Sequence, residues 1–546
     1  MKSIPHSAYP RPQLKRESYF CLNGKWDFEI TSGELPKDYK KTITVPFVPE
    51  SENSGICRRI LENDTMWYRL KFALPENFIK DRVILHFGAV DQKAEVFLNG
   101  TRLGSHEGGY LPFSFDITEY ISEENTLTVK AEDALLHKYP WGKQKQKNGG
   151  MWYTPFSGIW QTVWIESVPK EYITSLKITP ELDSVEIEVH SNSDKNAVIS
   201  VDTQNGEISE NTCCGKARIT LPAPVNWTPE EPYLYNFTVT LGEDRVESYF
   251  ALRTVDVAEI DGIWRIRLNK KPYFFHGLLD QGYWQKGICL PDETDGYEKD
   301  ILFAKEMGFN TLRKHIRIEP LRFYYDCDRL GMIVFQDLVN NGEYSFIRDT
   351  ALPTLGMKKI SDKNINKDIE TRKEFEKNAE RTVRHLYNCP SVVYYTVFNE
   401  GWGQFEADKQ YQNIKKLDDT RIIDSTSGWF KQKLSDVESE HVYFKAFKMR
   451  KTQRPLVLSE FGGYACSSDG KQYGYRFFKT LDEYRDAVEK LYEEQIVPAV
   501  KEGLCAAIYT QISDVEEEQN GLVSYDRKTV KVSKKTMLGI SAKLKV

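Results

Sequence analysis

The chain has 546 residues, of which 40% are hydrophobic and 28% are charged, as in a soluble globular protein of roughly three or four domains. Its net charge of −6, with acidic and basic residues interspersed, argues against a nucleic-acid partner. No apolar stretch is long enough for a membrane span, and the N-terminal segment lacks the apolar region of a secretory signal, so we expect no membrane partner.

The nine cysteines are scattered without Cys-x-x-Cys spacing and do not cluster with histidines. This distribution argues against a disulfide framework and a structural zinc site, and it predicts a reducing, cytoplasmic location. Aromatic residues are frequent, with 30 Tyr, 28 Phe and 11 Trp. Such abundance is typical of sugar-binding proteins, although most of these side chains are expected to pack in cores.

Residues 1–170 read as short strands bounded by Gly, Pro, Asn or Asp. Asn99-Gly100 separates two strand-like runs, which predicts a tight hairpin because both residues tolerate positive φ. The spacing predicts a β-sandwich. The runs are Val83–Phe87, Ala94–Leu98, Phe113–Ile117, Thr126–Ala131 and Gln161–Glu166.

Residues 171–257 form a second β-rich stretch about the size of an immunoglobulin-like β-sandwich. The sequence places the boundary between these two domains near residue 170, to within several residues. The predicted strands are Ser184–His190, Ala197–Thr203, Ala217–Leu221, Tyr235–Leu241 and Val246–Leu252.

In residues 258–546, strand-like runs alternate with helical segments such as Asp295–Met307, Asp368–Tyr387 and Leu481–Glu502. This alternation is typical of parallel β/α units, and eight units in this length favour a closed (β/α)8 TIM barrel. The predicted barrel strands are Tyr273–Gly277, Asn310–Lys314, Met332–Gln336, Val392–Phe398, Arg421–Ser425, Glu440–Phe444, Leu456–Glu460 and Ala506–Gln511.

Two glutamates lie at the C-terminal limits of predicted barrel strands, where barrel enzymes carry their active sites. Glu400 follows the fourth strand, and Glu460 ends the seventh. Cleavage of a glycosidic bond needs two carboxyl groups, about 5–5.5 Å apart when one of them is a nucleophile. Strands four and seven face each other across such a barrel, so this pair is a candidate glycosidase centre.

Several motifs give the whole chain a resemblance to glycoside hydrolase family 2, which contains β-galactosidases, β-glucuronidases and β-mannosidases. The resemblance implies an N-terminal jelly-roll sugar-binding domain, an immunoglobulin-like domain and a catalytic TIM barrel. The motifs are Asn23-Gly24-Lys25-Trp26, Trp67-Tyr68-Arg69, Phe97-Leu98-Asn99-Gly100, Gly108-Gly109-Tyr110, Ser157-Gly158-Ile159-Trp160-Gln161, Trp227-Thr228-Pro229, Pro232-Tyr233-Leu234-Tyr235 and the run Arg265 to Gly277.

The resemblance assigns roles to the two carboxylates. The Asn399-Glu400 pair implies that Glu400 is the acid/base and that Asn399 binds the sugar 2-hydroxyl, and Ser-Glu-Phe-Gly implies that Glu460 is the nucleophile. The family implies a β-linked substrate, a covalent glycosyl-enzyme intermediate and retention of configuration.

Further residues at strand ends are candidate ligands for the sugar. Asp280 resembles the position that binds the hydroxyls farthest from the scissile bond. Arg313 could orient the nucleophile and keep it ionised, and His315 could touch a hydroxyl. By resemblance Tyr443 bonds the nucleophile, and His441 lies on the same face.

Three aromatic residues, Trp402, Trp429 and Tyr509, are candidate walls of the sugar pocket, with core packing as the alternative. Asp337 ends the third strand, and we expect it to be structural and not catalytic. The long segment 340–366 exceeds usual connection lengths, which suggests that it shapes or covers the pocket.

The predicted substrate is a neutral β-linked sugar. A β-galactoside is the first choice, and a glucoside or pentoside is the second. Uronate-cleaving members carry Asn-x-Lys after the eighth strand, whereas residues 516–527 read EEEQNGLVSYDR, and three glutamates would repel a carboxylate. The domains that carry metal ligands in large β-galactosidases are absent from this sequence. We therefore expect no required metal or cofactor, although a structural cation stays possible.

Three alternatives remain open. One is a carbohydrate-binding protein without catalysis, which the presence of both carboxylates disfavours. The others are a β-glucuronidase-like enzyme and a transglycosylase that uses the same two residues. A homo-oligomer, either a dimer or a tetramer, is compatible with the family, but no residue specifies an interface.

Overall fold

Two antiparallel sheets pack face to face in the first domain of the structure, a computed structural model that describes residues 4–357, 360–466 and 473–546. One sheet has the order β3-β2-β4-β10-β7-β8 and the other β1-β12-β5-β9. The strands are β1 (Tyr19–Cys21), β2 (Gly24–Thr31), β3 (Lys41–Val45), β4 (Thr65–Phe72), β5 (Arg82–Phe87), β6 (Val90–Asp91), β7 (Lys93–Leu98), β8 (Thr101–Glu107), β9 (Phe113–Asp116), β10 (Asn125–Glu132), β11 (Gly158–Ile159) and β12 (Val163–Val168).

Side-chain alternation explains why these segments form a sandwich. In β10, Leu127, Val129 and Ala131 are buried between the sheets, while the residues between them are partly exposed. The predicted hairpin joins β7 to β8, with Asn99 at φ 52° and Gly100 at φ 82°.

The second domain is a smaller sandwich of seven strands, which begins at Ile173 after β12 ends at Val168. One sheet has the order β13-β14-β17 and the other β16-β15-β18-β19. The strands are β13 (Ile173–Pro180), β14 (Ser184–Ser191), β15 (Val198–Thr203), β16 (Gly206–Asn211), β17 (Lys216–Thr220), β18 (Tyr235–Leu241) and β19 (Asp244–Phe250).

Eight parallel strands form the barrel of the third domain, in the order β27-β26-β25-β24-β23-β32-β29-β28. The seam between β27 and β28 carries no ladder pairing but is bridged by the hydroxyls of Ser427 and Ser439 at 3.2 Å. The strands are β23 (Phe275–Asp280), β24 (Thr311–Lys314), β25 (Ile333–Asp337), β26 (Val392–Asn399), β27 (Ile422–Ser427), β28 (Glu438–Val442), β29 (Leu456–Gly462) and β32 (Leu504–Thr510).

A small sheet of β20 (Val255–Ile260), β21 (Ile263–Leu268) and β22 (Lys271–Pro272) lies at the N-terminal end of the barrel, where Ile263 meets Gly503. Helices surround the barrel, and β30 pairs with β31 beyond strand β29. The remaining elements are α1 (Gly296–Glu306), α2 (Leu321–Leu330), α3 (Leu352–Thr354), α4 (Ile369–Leu386), α5 (Ala407–Leu417), α6 (Leu481–Leu491), α7 (Val497–Glu502), α8 (Lys534–Ser541), β30 (Tyr464–Cys466) and β31 (Arg476–Phe478).

The predicted fold class of jelly-roll sandwich, immunoglobulin-like sandwich and TIM barrel is therefore confirmed. Each of the eight predicted barrel strands overlaps an observed one, and the largest offset is three residues, at the end of β23, where the prediction ends at Gly277 and the strand at Asp280. All eight residues of β26 are buried, as expected for a parallel strand covered on both faces. In the part of the chain that the structure describes, no helix combines the length and apolarity needed to cross a membrane.

Candidate active site

Glu400 and Glu460 lie together at the C-terminal mouth of the barrel. One carboxylate oxygen of each and a ring nitrogen of His441 all lie within 4.8 Å of one another. Glu400 follows the last residue of β26 with φ 52°, a left-handed conformation that is uncommon outside glycine and is often found at functional sites. Glu460 lies within β29 and is only 4% exposed. The structure thus brings the predicted pair to a distance at which both can act on one bond.

Two donors hold the carboxylate of Glu460. Arg313 Nη1 donates to Oε1 at 2.9 Å, and the Tyr443 hydroxyl donates to Oε2. Burial, followed by the charges of Glu460 and Glu400, raises the pKa of Tyr443 well above its usual value, so the hydroxyl keeps its proton. Glu460 therefore meets a positive charge on one oxygen and a neutral hydroxyl on the other, an arrangement that orients an attacking carboxylate.

Arg313 is the centre of a buried network that includes Asp337. Its Nε donates to Asp337 Oδ1 at 2.9 Å, and its Nη2 donates to the side-chain oxygen Oδ1 of Asn399 at 2.9 Å. Burial alone would raise the pKa of Asp337, but Arg313 and His315 more than offset this effect and lower it. Asp337 thus positions Arg313 and His315, in keeping with the structural role predicted for it.

His315 lies 3.9 Å from Glu460 Oε1, and its Nδ1 is 2.8 Å from Asp337 Oδ2. Burial is the largest influence on this imidazole and lowers its pKa, which favours the neutral form. Because the Asp337 carboxylate accepts, Nδ1 carries the proton and Nε2 is the acceptor in that form.

The predicted neighbours His441 and Trp429 lie beside Glu400. His441 Nδ1 is 2.7 Å from Glu400 Oε1 and 3.6 Å from Glu460 Oε2, so this ring contacts both carboxylates. Trp429 meets His441 edge to face at a centroid distance of 5.6 Å. These contacts place Trp429 near Glu400 and Glu460, and its contact with sugar stays a prediction.

The first domain reaches into the barrel mouth through residues 141–154, which we call the tongue. It belongs to the long connection between β10 and β11. Trp141 Nε1 donates to the Gly342 carbonyl at 3.1 Å, and Trp152 stacks on Trp402 at 5.3 Å and 27°. Trp402 is 2% exposed beneath this stack, which supports it as a packed wall of the site.

The three consecutive glutamates after β32 dock the tongue. All three accept hydrogen bonds from it, so the first domain orients their carboxylates, and the repulsion of a substrate carboxylate stays a prediction. Glu516 accepts from Asn148 Nδ2 at 2.6 Å and Thr154 N at 2.9 Å, Glu517 accepts from Gly150 N at 2.9 Å, and Glu518 accepts from the Tyr153 hydroxyl.

Two predicted sugar ligands have other surroundings. Asp280 bonds Lys314 Nζ at 2.6 Å and Gly282 N at 2.9 Å, so both of its oxygens are occupied within the protein. Tyr509 is fully buried against Phe461 in the core of the third domain. Tyr509 thus packs in the core, which was the alternative to a pocket wall. Each Asp280 oxygen can accept a second hydrogen bond, so its contact with sugar stays a prediction.

The segment 340–366 lies against the site, as its length suggested. Tyr344 packs edge to face on Trp402 at 5.4 Å, and Glu400 is among the charges that add to the effect of burial and raise the pKa of Tyr344 to about 12. The segment contains a π-helical turn, Phe346–Ala351, and its residues 358 and 359 lie outside the described residues. Four of its apolar side chains, Phe346, Ile347, Leu355 and Met357, are exposed, with Leu355 at 78%.

Sequence reasoning missed the contributions from outside the barrel strands. Tyr475 stacks on Tyr443 at 3.6 Å and 7°, and Trp152 comes from another domain. A signal for the tongue was present, because connections as long as the one between β10 and β11 are uncommon and are usually functional. No local pattern marks Tyr475.

Glu400, His441 and Glu460 are also chemically suited to hold a metal ion. Carboxylates and imidazole are common ligands of divalent cations. Arg313 already places a positive charge 2.9 Å from Glu460 and the same distance from Asp337. The expectation of no required metal stays a prediction.

Comparison with known proteins identifies the class. The family model for the glycosyl hydrolases family 2 TIM barrel domain matches residues 261–530. The glycosyl hydrolase 2 galactose-binding domain-like model matches residues 38–184, and a further glycosyl hydrolases family 2 model matches residues 171–253. The chain belongs to glycoside hydrolase family 2.

Relatives within the family carry different names. A β-galactosidase from Leuconostoc mesenteroides is 24% identical over 515 residues, which cover 86% of this chain and 46% of that protein. A β-glucuronidase from Felis catus is 25% identical over 72% of this chain and 65% of that protein. The chain spans less than half the length of the β-galactosidases that it matches.

The fold is shared over nearly the full length of a solved structure. The β-glucuronidase of Bifidobacterium dentium complexed with coumarin-3-O-glucuronide aligns with a TM-score of 0.77 and 18% identity, covering 97% of this chain and 98% of that one. At this identity the likeness concerns the arrangement of the three domains.

Proposed function

We propose that the protein is a retaining exo-β-glycosidase that removes a terminal neutral sugar, with a β-galactoside as the preferred substrate. The observation that carries the proposal is the placement of Glu400 and Glu460, with oxygens within 4.8 Å, at the C-terminal mouth of the barrel. A nucleophile and an acid/base need carboxyl groups about 5–5.5 Å apart, whereas an inverting pair stands farther apart to admit water.

In the first step Glu460 attacks the anomeric carbon while Glu400 donates a proton to the leaving oxygen. Arg313 and Tyr443 hold the two oxygens of Glu460, which fixes the direction of attack. In the second step Glu400 takes a proton from water, which attacks the same carbon and releases Glu460. Two displacements leave the configuration unchanged.

The enclosure of the site supports removal of a terminal sugar. The tongue and the segment 340–366 lie against the same part of the barrel mouth, with Trp152 and Tyr344 both packed on Trp402. A pocket closed in this way accepts a chain end more readily than the middle of a polysaccharide.

The choice of a neutral sugar rests on the sequence after β32, which lacks the Asn-x-Lys of uronate-cleaving members. A uronide is the second candidate, because a relative named β-glucuronidase aligns with 72% of this chain. Transglycosylation would use the same carboxylates, with a sugar in place of water.

The test is hydrolysis of aryl β-glycosides that carry galactose, glucose, glucuronate, galacturonate, mannose, xylose and fucose. Wild type is compared with Glu400→Gln and Glu460→Gln, and Glu380→Gln on the exposed face of α4 is the control. We expect one neutral glycoside to be cleaved fastest and both site variants to lose activity. Full activity of Glu460→Gln would refute the assignment, and a preference for a uronide would overturn the choice of sugar.

A further inference from the structure

A lysine of the tongue is held inside the barrel mouth by its close approach to strand β24. Gly142 has φ 66°, and a Cβ at this position would lie 2.9 Å from the Tyr110 hydroxyl and 3.1 Å from the Ile316 carbonyl oxygen, so any other residue here would be strained. The next residue, Lys143, is fixed by a hydrogen bond from Tyr153 N to its carbonyl at 3.0 Å. Lys143 therefore follows directly on the residue that meets Ile316, the neighbour of His315.

The ammonium of Lys143 is nearly buried, since 7% of the side chain is exposed. Burial is the largest cause that lowers the pKa of His315, and the charge of Lys143 is among the others that lower it. The nearest anion is Glu518, whose Oε2 lies 3.6 Å from Nζ, beyond hydrogen-bond distance. Within the described residues, the charge of Glu518 therefore balances that of Lys143, but the N–H groups of the ammonium still lack a hydrogen-bond acceptor.

Glu518, which faces the Lys143 ammonium, is also contacted by Asn520. Glu518 is 2% exposed, accepts from the Tyr153 hydroxyl and receives Asn520 Nδ2 at 3.1 Å. Asn520 is fully buried, and its Oδ1 has no hydrogen-bond partner among the residues that the structure describes. Asn520 and Lys143 face the two oxygens of the same Glu518 carboxylate. Buried polar atoms normally have a partner, so the unpaired Asn520 acceptor and the donors of Lys143 indicate an unfilled polar site around Glu518.

We propose that Lys143 and Glu518, one from the jelly-roll domain and one from the barrel, form the subsite that binds the outer hydroxyls of the sugar. This proposal rests on the proposed function and names the part of the substrate that the tongue recognises. Lys143 donates to one hydroxyl, and Glu518 accepts from a hydroxyl next to it.

The charges of the pair favour a neutral sugar over a uronate. Lys143 and Glu518 together carry no net charge, so hydroxyls can bond to both without an unpaired ion. A uronate carboxylate bound to Lys143 would lie near the Glu518 carboxylate, and two like charges at this distance in a buried site are unfavourable. Replacing Glu518 by glutamine removes this repulsion.

The test compares wild type with Lys143→Met and Glu518→Gln, with Lys147→Ala at the exposed end of the tongue as control. Substrates are the aryl glycoside that wild type prefers, its deoxy analogues lacking one outer hydroxyl each, and the matching uronide. We expect Lys143→Met to lower kcat/KM roughly 10- to 100-fold on the full sugar. The loss should shrink for the analogue that lacks the hydroxyl bound by Lys143.

For Glu518→Gln, the ratio of uronide to neutral glycoside cleavage should rise. An equal loss for Lys143→Met on every deoxy analogue, with a lower melting temperature, would assign a structural role to Lys143 and overturn the proposal. If wild type prefers the uronide and Lys143→Met loses this preference, Lys143 binds a carboxylate, and the proposal that it binds a hydroxyl is overturned.

If wild type cleaves no glycoside, the proposed function fails, and calorimetry still tests the subsite. The titrants are free galactose and galacturonate, added to wild type and Lys143→Met. Weaker galactose binding by Lys143→Met supports the subsite, whereas equal binding or no binding to either protein contradicts it.

Discussion

The indole of Trp152, from the jelly-roll domain, stacks on the indole of Trp402, two residues after the proposed acid/base Glu400, at a centroid distance of 5.3 Å. Both rings are buried, with Trp152 8% and Trp402 2% exposed. A wall of the candidate active site is thus built across a domain boundary. The barrel carries both carboxylates, but the first domain completes the pocket that surrounds them.

Trp152→Ala should weaken this junction and the site together. Loss of a stacked, buried indole costs about 3–5 kcal/mol at a core position, and the partner Trp402 loses its support. We expect a lower melting temperature and a lower kcat/KM. Trp152→Phe keeps an aromatic ring and should retain most of both properties. Unchanged kcat/KM in Trp152→Ala would show that the stack has no part in the site.

Sequence patterns predicted the parts of the fold that depend on local periodicity. Glu400 and Glu460 could be placed because each is adjacent to or inside an apolar parallel strand, and such strands end at one face of a barrel. Asp280 satisfied the same rule, yet its carboxylate pairs with Lys314. The position of a residue in a strand determines where its Cα lies, whereas the partner of its side chain, here Lys314, depends on neighbouring strands that the local pattern does not specify.

Contacts between domains could not be predicted in the same way. The tongue lies more than 360 residues from the glutamates that dock it, as in the pair Asn148 and Glu516. Neither segment has a periodic pattern, so nothing in either one specifies the other. The acidic run predicts a repelling surface, whereas its role in docking the tongue depends on donors that belong to another domain.

Tyr443→Phe removes the hydroxyl that donates to Glu460 Oε2 and leaves the ring stacked on Tyr475. A hydrogen bond to a charged group contributes about 1.5–3 kcal/mol, so kcat should fall roughly 10- to 100-fold. Tyr411→Phe is the control, since its hydroxyl donates to Asp436 at 2.6 Å on the partly exposed helix α5. Equal kcat values for Tyr443→Phe and wild type would contradict an orienting role.

Asp424→Asn should change how stability depends on pH. Burial raises the pKa of Asp424 to about 6, and Tyr394 donates to its Oδ2 at 2.9 Å. From about pH 4 to 6 the folded state therefore binds more protons than the unfolded state, and this group makes the protein less stable as pH rises. The effect reaches about 3 kcal/mol above pH 6.

The asparagine variant lacks this titration, so its melting temperature relative to wild type should increase from pH 4.5 to 6.5 and then stay level. The exposed Asp261→Asn is the control. A difference between Asp424→Asn and wild type that does not vary with pH would show that the Asp424 carboxyl does not titrate in this range.

The stereochemistry of hydrolysis tests the roles of Glu400 and Glu460 directly. Proton NMR of the first product should show the β-anomer, because two displacements at the anomeric carbon restore the configuration. In Glu460→Ala, azide can occupy the place of the nucleophile and should yield an α-glycosyl azide. In Glu400→Ala, azide attacks the covalent intermediate and should yield a β-glycosyl azide. Initial release of the α-anomer by wild type would mean a single displacement by water, which is incompatible with Glu460 as the nucleophile.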